Sequence, residues 1–237
     1  MNDPSLSLSE KLWHSSWKVA LCIEAFFVVY MALYDRGFTF ISFVKTFAGT
    51  ANFLLALSLS LSSFGYFFNF LDSKVIYRKY FGLLGYFSAL LYSALLLGAN
   101  PERYWYGFWE NFWSSDILIG LIAMAIFTGM ALISNDKAML WIGPKRWRQC
   151  LRLGYFAFFL LVVRAILNES LPIGADGIPE MWTSYIFFPH NLPPPRLLFS
   201  FVALSVLLFR FAVEFDKWQV RRSLDRVGTL PQKPITP

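Results

Sequence analysis

Six long apolar segments, separated by polar or basic stretches, dominate the hydrophobic pattern of the chain. Each has about the 17–25 residues that a helix needs to cross the hydrocarbon core of a bilayer. The segments cover residues 17–33, 47–71, 80–97, 116–133, 151–167 and 196–215. The pattern therefore predicts an all-α fold, an integral membrane bundle of six helices.

The second segment contains an alternation of Leu and Ser over residues 57–62, which on its own also fits a β-strand. The segment is much longer than a strand, and the sequence offers no partner strands that would close a barrel, so we predict a helix. We expect these serines at helix contacts, where small side chains allow close approach.

Lysine and arginine cluster in alternate connections between the six segments. Most of the 21 basic residues follow the second segment, the fourth segment or the sixth. Basic residues favour the cytoplasmic side of a membrane. We therefore predict that both termini and both basic connections are cytoplasmic, in a multi-pass protein of a cell membrane, with a bacterial inner membrane as the first choice.

Composition agrees with a membrane environment. Hydrophobic residues make up 57% of the 237 residues and charged residues only 15%, whereas ordinary soluble domains have about 25% charged residues. These values exclude a disordered chain, a disulfide scaffold and a typical cytosolic enzyme. The basic residues that produce the net charge of +6 lie where the positive-inside rule needs them. The expected partner is the lipid bilayer and not nucleic acid.

The segments also define the predicted domain organisation. Residues 1–16 are expected to form a cytoplasmic N-terminal segment and not a cleavable signal peptide, since no small-residue cleavage pattern follows. Residues 17–217 are expected to form the transmembrane domain, and residues 218–237 a basic, partly disordered tail.

Two connections on the predicted outer side stand out. Residues 100–115 place Trp105, Trp109 and Trp113 four positions apart, which predicts an interfacial helix on the outer leaflet. The simpler interpretation, which we favour, is an aromatic belt that only anchors the fold. Residues 168–195 are proline-rich and are expected to form an outer cap or a docking loop.

Two stretches of the sequence carry a family resemblance. RKYFGL at residues 78–83, followed by Tyr92, is similar to the entry motif R-R-x-x-G-L…L-H. LISNDKA at 132–138 and IGPKRWRQCLRLGY at 142–155 are similar to L-x-S…A…L-G-x-x-R-W-x-x-L-H-x-x-x-Y. Together with FAG at 47–49, these short motifs give the chain a resemblance to the ferric-reductase-like transmembrane domain family over about residues 47–167. That family includes the haem-binding membrane subunit of the bacterial periplasmic methionine sulfoxide reductase system.

The resemblance implies electron transfer through haem b, held between histidines of the third and fifth helices and supplied by cytoplasmic flavin or quinol. The positions that match those histidines hold Tyr92, Leu151 and Arg164. The two histidines of the chain, His14 and His190, are predicted on opposite sides of the membrane. We therefore expect a divergent member with no cofactor, acting as a membrane accessory or interaction subunit beside a redox or other protein subunit.

Two alternatives stay open. One is a transmembrane electron-transfer subunit of an oxidoreductase system, with haem b on a ligand such as Tyr92 or with a bound quinone or flavin. The other, weaker alternative is a proton or small-molecule transporter. We expect no catalytic residue and no metal site, because the sequence contains no nucleotide-binding, hydrolase or zinc motif.

Ionisable residues inside the segments are the remaining candidates, since charges in a membrane are expensive and are usually paired. Glu24 and Arg210 each lie two turns inside a segment, roughly 10 Å below the cytoplasmic boundary. They are expected to pair, with Glu214 joining Arg210 at i, i+4 spacing. An ion-pair staple is favoured over a proton or ligand relay. Arg164 is expected to snorkel outward or to meet Asp116, with an anionic or quinone head group as the functional alternative.

Overall fold

The computed structural model describes residues 7–35, 37–99, 101–169 and 195–228. Within these residues 92% of the chain is helical and no strand is present, which confirms the predicted all-α class. A 3₁₀ helix, Asn69–Tyr77, precedes α3, and a π-helical turn, Glu102–Tyr106, precedes α4. The described α-helices are α1 Leu8–Tyr34, α2 Phe40–Phe67, α3 Arg78–Ala99, α4 Phe108–Asn111, α5 Ser115–Leu132, α6 Asp136–Ile142, α7 Pro144–Glu169 and α8 Pro195–Gly228.

Four helical stretches are long and apolar enough to cross a membrane. They are Leu8–Tyr34, Phe40–Phe67, Lys74–Ala99 and Leu198–Ser223, and Ile117–Leu132 is a shorter apolar helix. Many large apolar side chains on these helices point away from the bundle, among them Phe26, Phe87 and Phe211. Helices that are apolar on both their inner and outer faces suit a lipid environment.

The first helix starts earlier, and the last helix ends later, than the hydrophobic pattern indicates. Ser7 and Glu10 form a capping box, in which Ser7 Oγ accepts from the Glu10 amide and Glu10 Oε2 accepts from the Ser7 amide. α1 therefore begins at Leu8, inside the predicted N-terminal segment. α8 continues to Gly228, so residue 217 marks no break in the helix.

α2 lies at the centre of the bundle, in contact with α1, α3 and α8. Glycines permit the close approach of its neighbours. A Cβ atom on Gly49 would lie 2.7 Å from the Phe27 ring of α1, and one on Gly85 of α3 would lie 3.0 Å from the Leu55 amide nitrogen. The Leu–Ser alternation is helical, as predicted, and the buried serines within it are Ser58 and Ser60.

Ring contacts define the relative directions of α1, α2 and α8. Phe27 of α1 lies 6.0 Å from Phe53 of α2 and 5.7 Å from Phe199 of α8, between ring centroids. Phe64 and Phe209 meet at 4.8 Å near the other end of α2. α8 is therefore parallel to α2. Trp13, near the start of α1, lies 5.8 Å from Tyr80 of α3 between ring centroids, and the start of α3 is joined to Ser58 of α2, so α1 is antiparallel to α2. The start of α1, the 3₁₀ helix, α6 and the later half of α8 share one end, which we call the basic end.

Two buried clusters surround α2. The first joins α2 to α1 and α3 through Ala20, Leu54, Phe81 and Leu84. The second joins α2 to α5, α7 and α8, and includes Leu59, Phe127, Phe158 and Val206. α3 thus packs chiefly against α2, whereas α7 packs chiefly against α5.

Residues 101–115 do not form the continuous interfacial helix that the tryptophan spacing predicts. The π-helical turn closes with a hydrogen bond from the Gly107 amide to the Glu102 carbonyl, and only the four residues of α4 follow as α-helix. Gly107 therefore interrupts the helix, and the position of this segment at the outer leaflet stays a prediction. Trp105, Trp109 and Trp113 are all strongly exposed, and the aromatic belt stays a prediction. The predicted outer cap, residues 168–195, lies almost wholly outside the described residues, and so do residues 229–237 of the predicted tail.

Candidate functional site

A cavity of about 450 Å³, which we call the basic cavity, opens at the basic end. It lies between α2, the 3₁₀ helix, α3, α5, α6, α7 and α8. Its wall is largely apolar, with Leu55, Leu59, Leu83, Phe127, Met130 and Leu151. Its charged side chains are Arg78, Lys79, Arg152 and Arg210, and among the residues that the structure describes no Asp or Glu lines it.

Arg78 begins α3, at the point where the 3₁₀ helix ends. Its carbonyl oxygen accepts a 2.7 Å hydrogen bond from Ser58 Oγ, which joins the start of α3 to α2. The Arg78 side chain is half-buried, and within the described ranges its guanidinium forms no ion pair and no hydrogen bond. Arg210 and Tyr155 are close enough to interact with it electrostatically. A shielded cation without a counter-ion is costly, so an anion at this position would be stabilising.

Tyr155 of α7 lies on the opposite wall of the basic cavity. Its hydroxyl donates to the Leu59 carbonyl oxygen at 2.9 Å and lies 3.0 Å from Ser62 Oγ. The guanidinium of Arg210 lies over the Tyr155 ring, 5.1 Å from the ring centroid, and pairs with the Glu214 carboxylate. A cation–π contact and an ion pair therefore hold Arg210 beside the cavity. The pairing of Arg210 with Glu214 confirms the expected i, i+4 contact.

The turn between α5 and α7 forms one lip of the cavity. Asn135 caps α6, its Oδ1 accepting from the Ala138 amide at 2.7 Å. α6 ends at Gly143, whose φ of 85° lies in the left-handed region that glycine tolerates best. The indole Nε1 of Trp147 donates to the Ile133 carbonyl oxygen at 2.8 Å, which ties the start of α7 to the end of α5. These contacts set α6 at the mouth of the cavity.

The lining is chemically suited to binding an anion that also has an apolar part. Guanidinium and ammonium groups recognise carboxylate or phosphate, and the hydroxyl of Ser134 lines the same cavity. The leucine and phenylalanine wall would contact an apolar portion. Within the described ranges, no group of three or more His, Cys, Asp or Glu residues is placed to hold a metal ion.

The residues at the family's haem-ligand positions lie in different surroundings. Leu151 lines the basic cavity. Tyr92 is half-buried on α3, closer to the opposite end of the bundle. Arg164 of α7 lies beside α5, since a Cβ atom on Gly120 would be 3.3 Å from its Nη1 atom. The side chain of Asp116, its other expected contact, lies outside the described residues.

These residues do not fit a haem b with two imidazole ligands. Leu151 has no donor atom, and the guanidinium of Arg164 stays protonated and has no lone pair for iron. Tyr92 offers a single oxygen. Of the two histidines, His14 is exposed near the start of α1, and His190 lies outside the described residues.

The expected pairing of Glu24 with Arg210 is wrong. Glu24 Oε1 instead lies 2.6 Å from Thr46 Oγ1, near the start of α2. Arg210 stands at the level of Ser62, and Thr46 and Ser62 are more than four turns apart on α2, or about 24 Å. Counting residues from the ends of the apolar segments assigns Glu24 and Arg210 the same depth. The helices are offset, however, because α1 begins at Leu8.

The sequence alone does not identify the basic cavity. It marks Arg78 only as part of a basic connection, and it marks Ser58 only as a packing residue. A weak signal is present, because Ser58 and Ser62 lie on one face of α2 at i, i+4 spacing. That signal does not show that Arg78 and Arg210 converge on the same space.

No protein-family model matches the chain, and no curated protein matches it. The resemblance to the ferric-reductase-like family therefore stays a prediction that rests on short sequence motifs within residues 47–155. A fold by itself does not define an activity, so the basic cavity is the feature of the molecule that bears on function.

Proposed function

We propose that the chain is a ligand-binding membrane protein whose working site is the basic cavity. The ligand is an anion that also carries an apolar part. One observation carries this proposal: four basic side chains, and no described acidic one, line a cavity of about 450 Å³ with a largely apolar wall. Binding of an anion would supply the counter-ion that Arg78 lacks among the described residues.

The proposed role is that of an accessory or interaction subunit that works without haem. The side chains of Tyr92, Leu151 and Arg164 support this role, since they do not provide the two imidazole nitrogens that haem b takes as axial ligands. Electron transfer and transport are the alternatives against which this proposal is tested.

An absorption spectrum of the purified protein tests the haem-free part of the proposal. We expect a featureless visible spectrum in both the oxidised and the dithionite-reduced protein, expressed with ample haem. A haem band equivalent to one haem per chain would overturn this part and would favour the electron-transfer alternative.

We propose six membrane crossings with both termini in the cytoplasm of a bacterial inner membrane. Four spans are long enough by themselves, and α5 and α7 would supply the other two. The positive-inside rule then places the basic end, and with it the basic cavity, on the cytoplasmic side.

Cysteine labelling tests this orientation. In a chain with Cys22 and Cys150 replaced by serine, single cysteines are introduced at two exposed positions, Lys137→Cys in α6 and Trp109→Cys in α4. In spheroplasts, an impermeant maleimide is expected to label Trp109→Cys only, and both variants after lysis. Labelling of Lys137→Cys alone in intact spheroplasts would reverse the proposed topology.

Thermal unfolding in neutral detergent tests anion binding. Dodecyl phosphate is the probe, because it joins a phosphate to an apolar chain. We expect it to raise the Tm of the wild-type protein and of Arg222→Gln, and to have little effect on Arg78→Gln. Arg222 is the matched control, since it is exposed on α8 and lies over Trp218, outside the cavity. An unchanged wild-type Tm would contradict the proposal.

A further inference from the structure

Exposed apolar side chains stand on two of the elements that line the basic cavity, the 3₁₀ helix and α6. On the 3₁₀ helix, Phe70 is 74% exposed and Ile76, which also lines the cavity, is 50% exposed. On α6, Leu140 is 79% exposed and Trp141 is 89% exposed. Exposed apolar side chains on two elements of a cavity wall mark a surface that meets something other than water.

Basic side chains accompany these apolar residues. Lys74 of the 3₁₀ helix, Lys137 of α6, and Lys145 and Arg146 at the start of α7 are all exposed. Tryptophan and aliphatic residues next to Lys and Arg are typical of segments that lie in the head-group region of a bilayer. Both elements of the cavity wall therefore match the interface of a membrane leaflet that contains anionic lipid.

We propose that the basic cavity takes the phosphate head group of an anionic membrane lipid, which enters sideways from the leaflet between the 3₁₀ helix and α6. This inference rests on the proposed function and specifies the class of ligand and its source. Basic pockets between transmembrane helices are a known type of site for anionic head groups. A cavity of about 450 Å³ is at the small end of ligand pockets, so it takes the head group while the acyl chains stay in the bilayer.

Arg78 is the first phosphate contact. It has no competing partner among the described residues, and its half-buried position removes much of the water that would screen an ion pair. The planar guanidinium offers two parallel donors to phosphate oxygens, which an ammonium group does not. The hydroxyls of Ser58 and Ser62 line the same space.

Arg210 is the second phosphate contact, through an exchange of partners. Its present partner, Glu214, has a side chain that is 47% exposed and lies 3.9 Å from Lys217 Nζ. When Arg210 turns to a phosphate, the Glu214 carboxylate keeps Lys217 and water. The phosphate then replaces the Glu214 carboxylate as the counter-ion of Arg210, whose side chain is 18% exposed, so the guanidinium is not left unpaired.

Native mass spectrometry of the full chain tests the inference. The protein is released from nanodiscs that contain equal amounts of phosphatidylglycerol and phosphatidylcholine. We expect the wild type and Arg222→Gln to retain phosphatidylglycerol in preference to phosphatidylcholine. Arg78→Gln is expected to reduce this preference at least about tenfold. Arg78→Lys is expected to reduce it less, because lysine keeps the positive charge but lacks the two parallel N–H donors of the guanidinium.

Two further comparisons make the outcome decisive. Arg210→Gln is the second variant, in case Arg78→Gln fails to fold, and it is expected to weaken the preference in the same direction. Glycerol 3-phosphate is added to the detergent-purified protein beside dodecyl phosphate, as a phosphate without an acyl chain. We expect it to raise the Tm much less than dodecyl phosphate does.

The possible results separate this inference from the proposed function. If glycerol 3-phosphate raises the Tm as much as dodecyl phosphate, the ligand is a soluble anion, and the lipid source is overturned while the anion site stands. If neither probe binds, both proposals fail. A preference for phosphatidylglycerol that survives in Arg78→Gln and Arg210→Gln would place lipid binding elsewhere and overturn the inference.

Discussion

The two ends of the bundle treat their charged residues differently. Towards the opposite end, Glu24 of α1 meets the Thr46 hydroxyl of α2, where the two helices approach closely through Gly49. At the basic end, Arg78 has no counter-ion among the described residues and lines a cavity. Glu24 packs against a hydroxyl group of the next helix, with its Oε2 atom buried and without a hydrogen-bond partner among the described residues, whereas Arg78 lies beside open space.

This difference separates packing residues from binding residues. A polar group held by a neighbouring helix contributes to the assembly of the bundle. A cation that is kept beside a cavity without a partner reduces stability until a ligand arrives, which is a cost that proteins carry at functional sites. Four substitutions, each with a control, test this distinction.

Gly49→Ala should destabilise the closely packed region strongly. The added Cβ atom would lie 2.7 Å from the fully buried Phe27 ring, which has no space to move. We expect the free energy of unfolding to fall by about 2–3 kcal/mol, as is typical of overpacking. The measurement is denaturation in mixed micelles, followed by circular dichroism.

Gly98→Ala is the control for that measurement, because a Cβ atom on this glycine of α3 would meet nothing within 4 Å. We expect no loss of stability, and a gain of up to about 1 kcal/mol from helix propensity. Equal losses in both variants would show that close approach at Gly49 is unimportant.

Arg78→Met should stabilise the protein without ligand by about 1 kcal/mol, because it removes an uncompensated cation and keeps an apolar stem of similar length. The same substitution should abolish the Tm increase that dodecyl phosphate produces. Glu24→Gln is the matched variant from the other region. It can keep a hydrogen bond to Thr46 and should leave the response to dodecyl phosphate unchanged. A less stable Arg78→Met would argue that Arg78 is a packing residue.

Tyr155→Phe should lower the free energy of unfolding by about 1 kcal/mol, since it removes the buried hydroxyl that contacts Leu59 and Ser62. Arg210 would keep the aromatic ring beneath it, so we expect only a small change in dodecyl phosphate binding. Tyr106→Phe, at a strongly exposed position of the π-helical turn, should change neither quantity. Complete loss of binding in Tyr155→Phe would instead show that its hydroxyl contacts the ligand.

Glu214→Gln should have the smallest effect on stability, at most about 0.5 kcal/mol, because its side chain is 47% exposed and the glutamine oxygen can still accept a hydrogen bond from Arg210. It frees Arg210, so the affinity for dodecyl phosphate should rise by about twofold at low ionic strength and less at high salt. Isothermal titration at two salt concentrations measures this. Glu110→Gln, exposed on α4, is the control. Weaker binding in Glu214→Gln would refute the proposed exchange of partners.

The positions of the helices were largely predictable, because an apolar run of the required length is a local property. The predicted helix ends were less accurate, because capping and turn residues also decide where a helix begins and ends, and the apolar pattern does not include them. The capping box of Ser7 and Glu10 extends α1, and the closure of the π-helical turn at Gly107 divides the segment of exposed tryptophans.

The pairing of charges was predictable only within one helix. Arg210 and Glu214 share a helix, so their spacing alone brings them together. The depth of Glu24 relative to Arg210 depends on the axial offset between α1 and α2. Contacts such as that of the Phe27 ring with Gly49 set this offset. No count of residues along a single segment contains this information.

The helical class, the apolar exteriors of the long helices and the clustering of basic residues in alternate connections can all be read from the amino-acid sequence. These properties depend on neighbouring residues and on composition. The meeting of Arg78, Tyr155 and Arg210 around one cavity follows from helix packing, because the three residues come from helices distant in sequence. Their convergence depends on the register between helices, which small residues and ring contacts set and which no local pattern encodes.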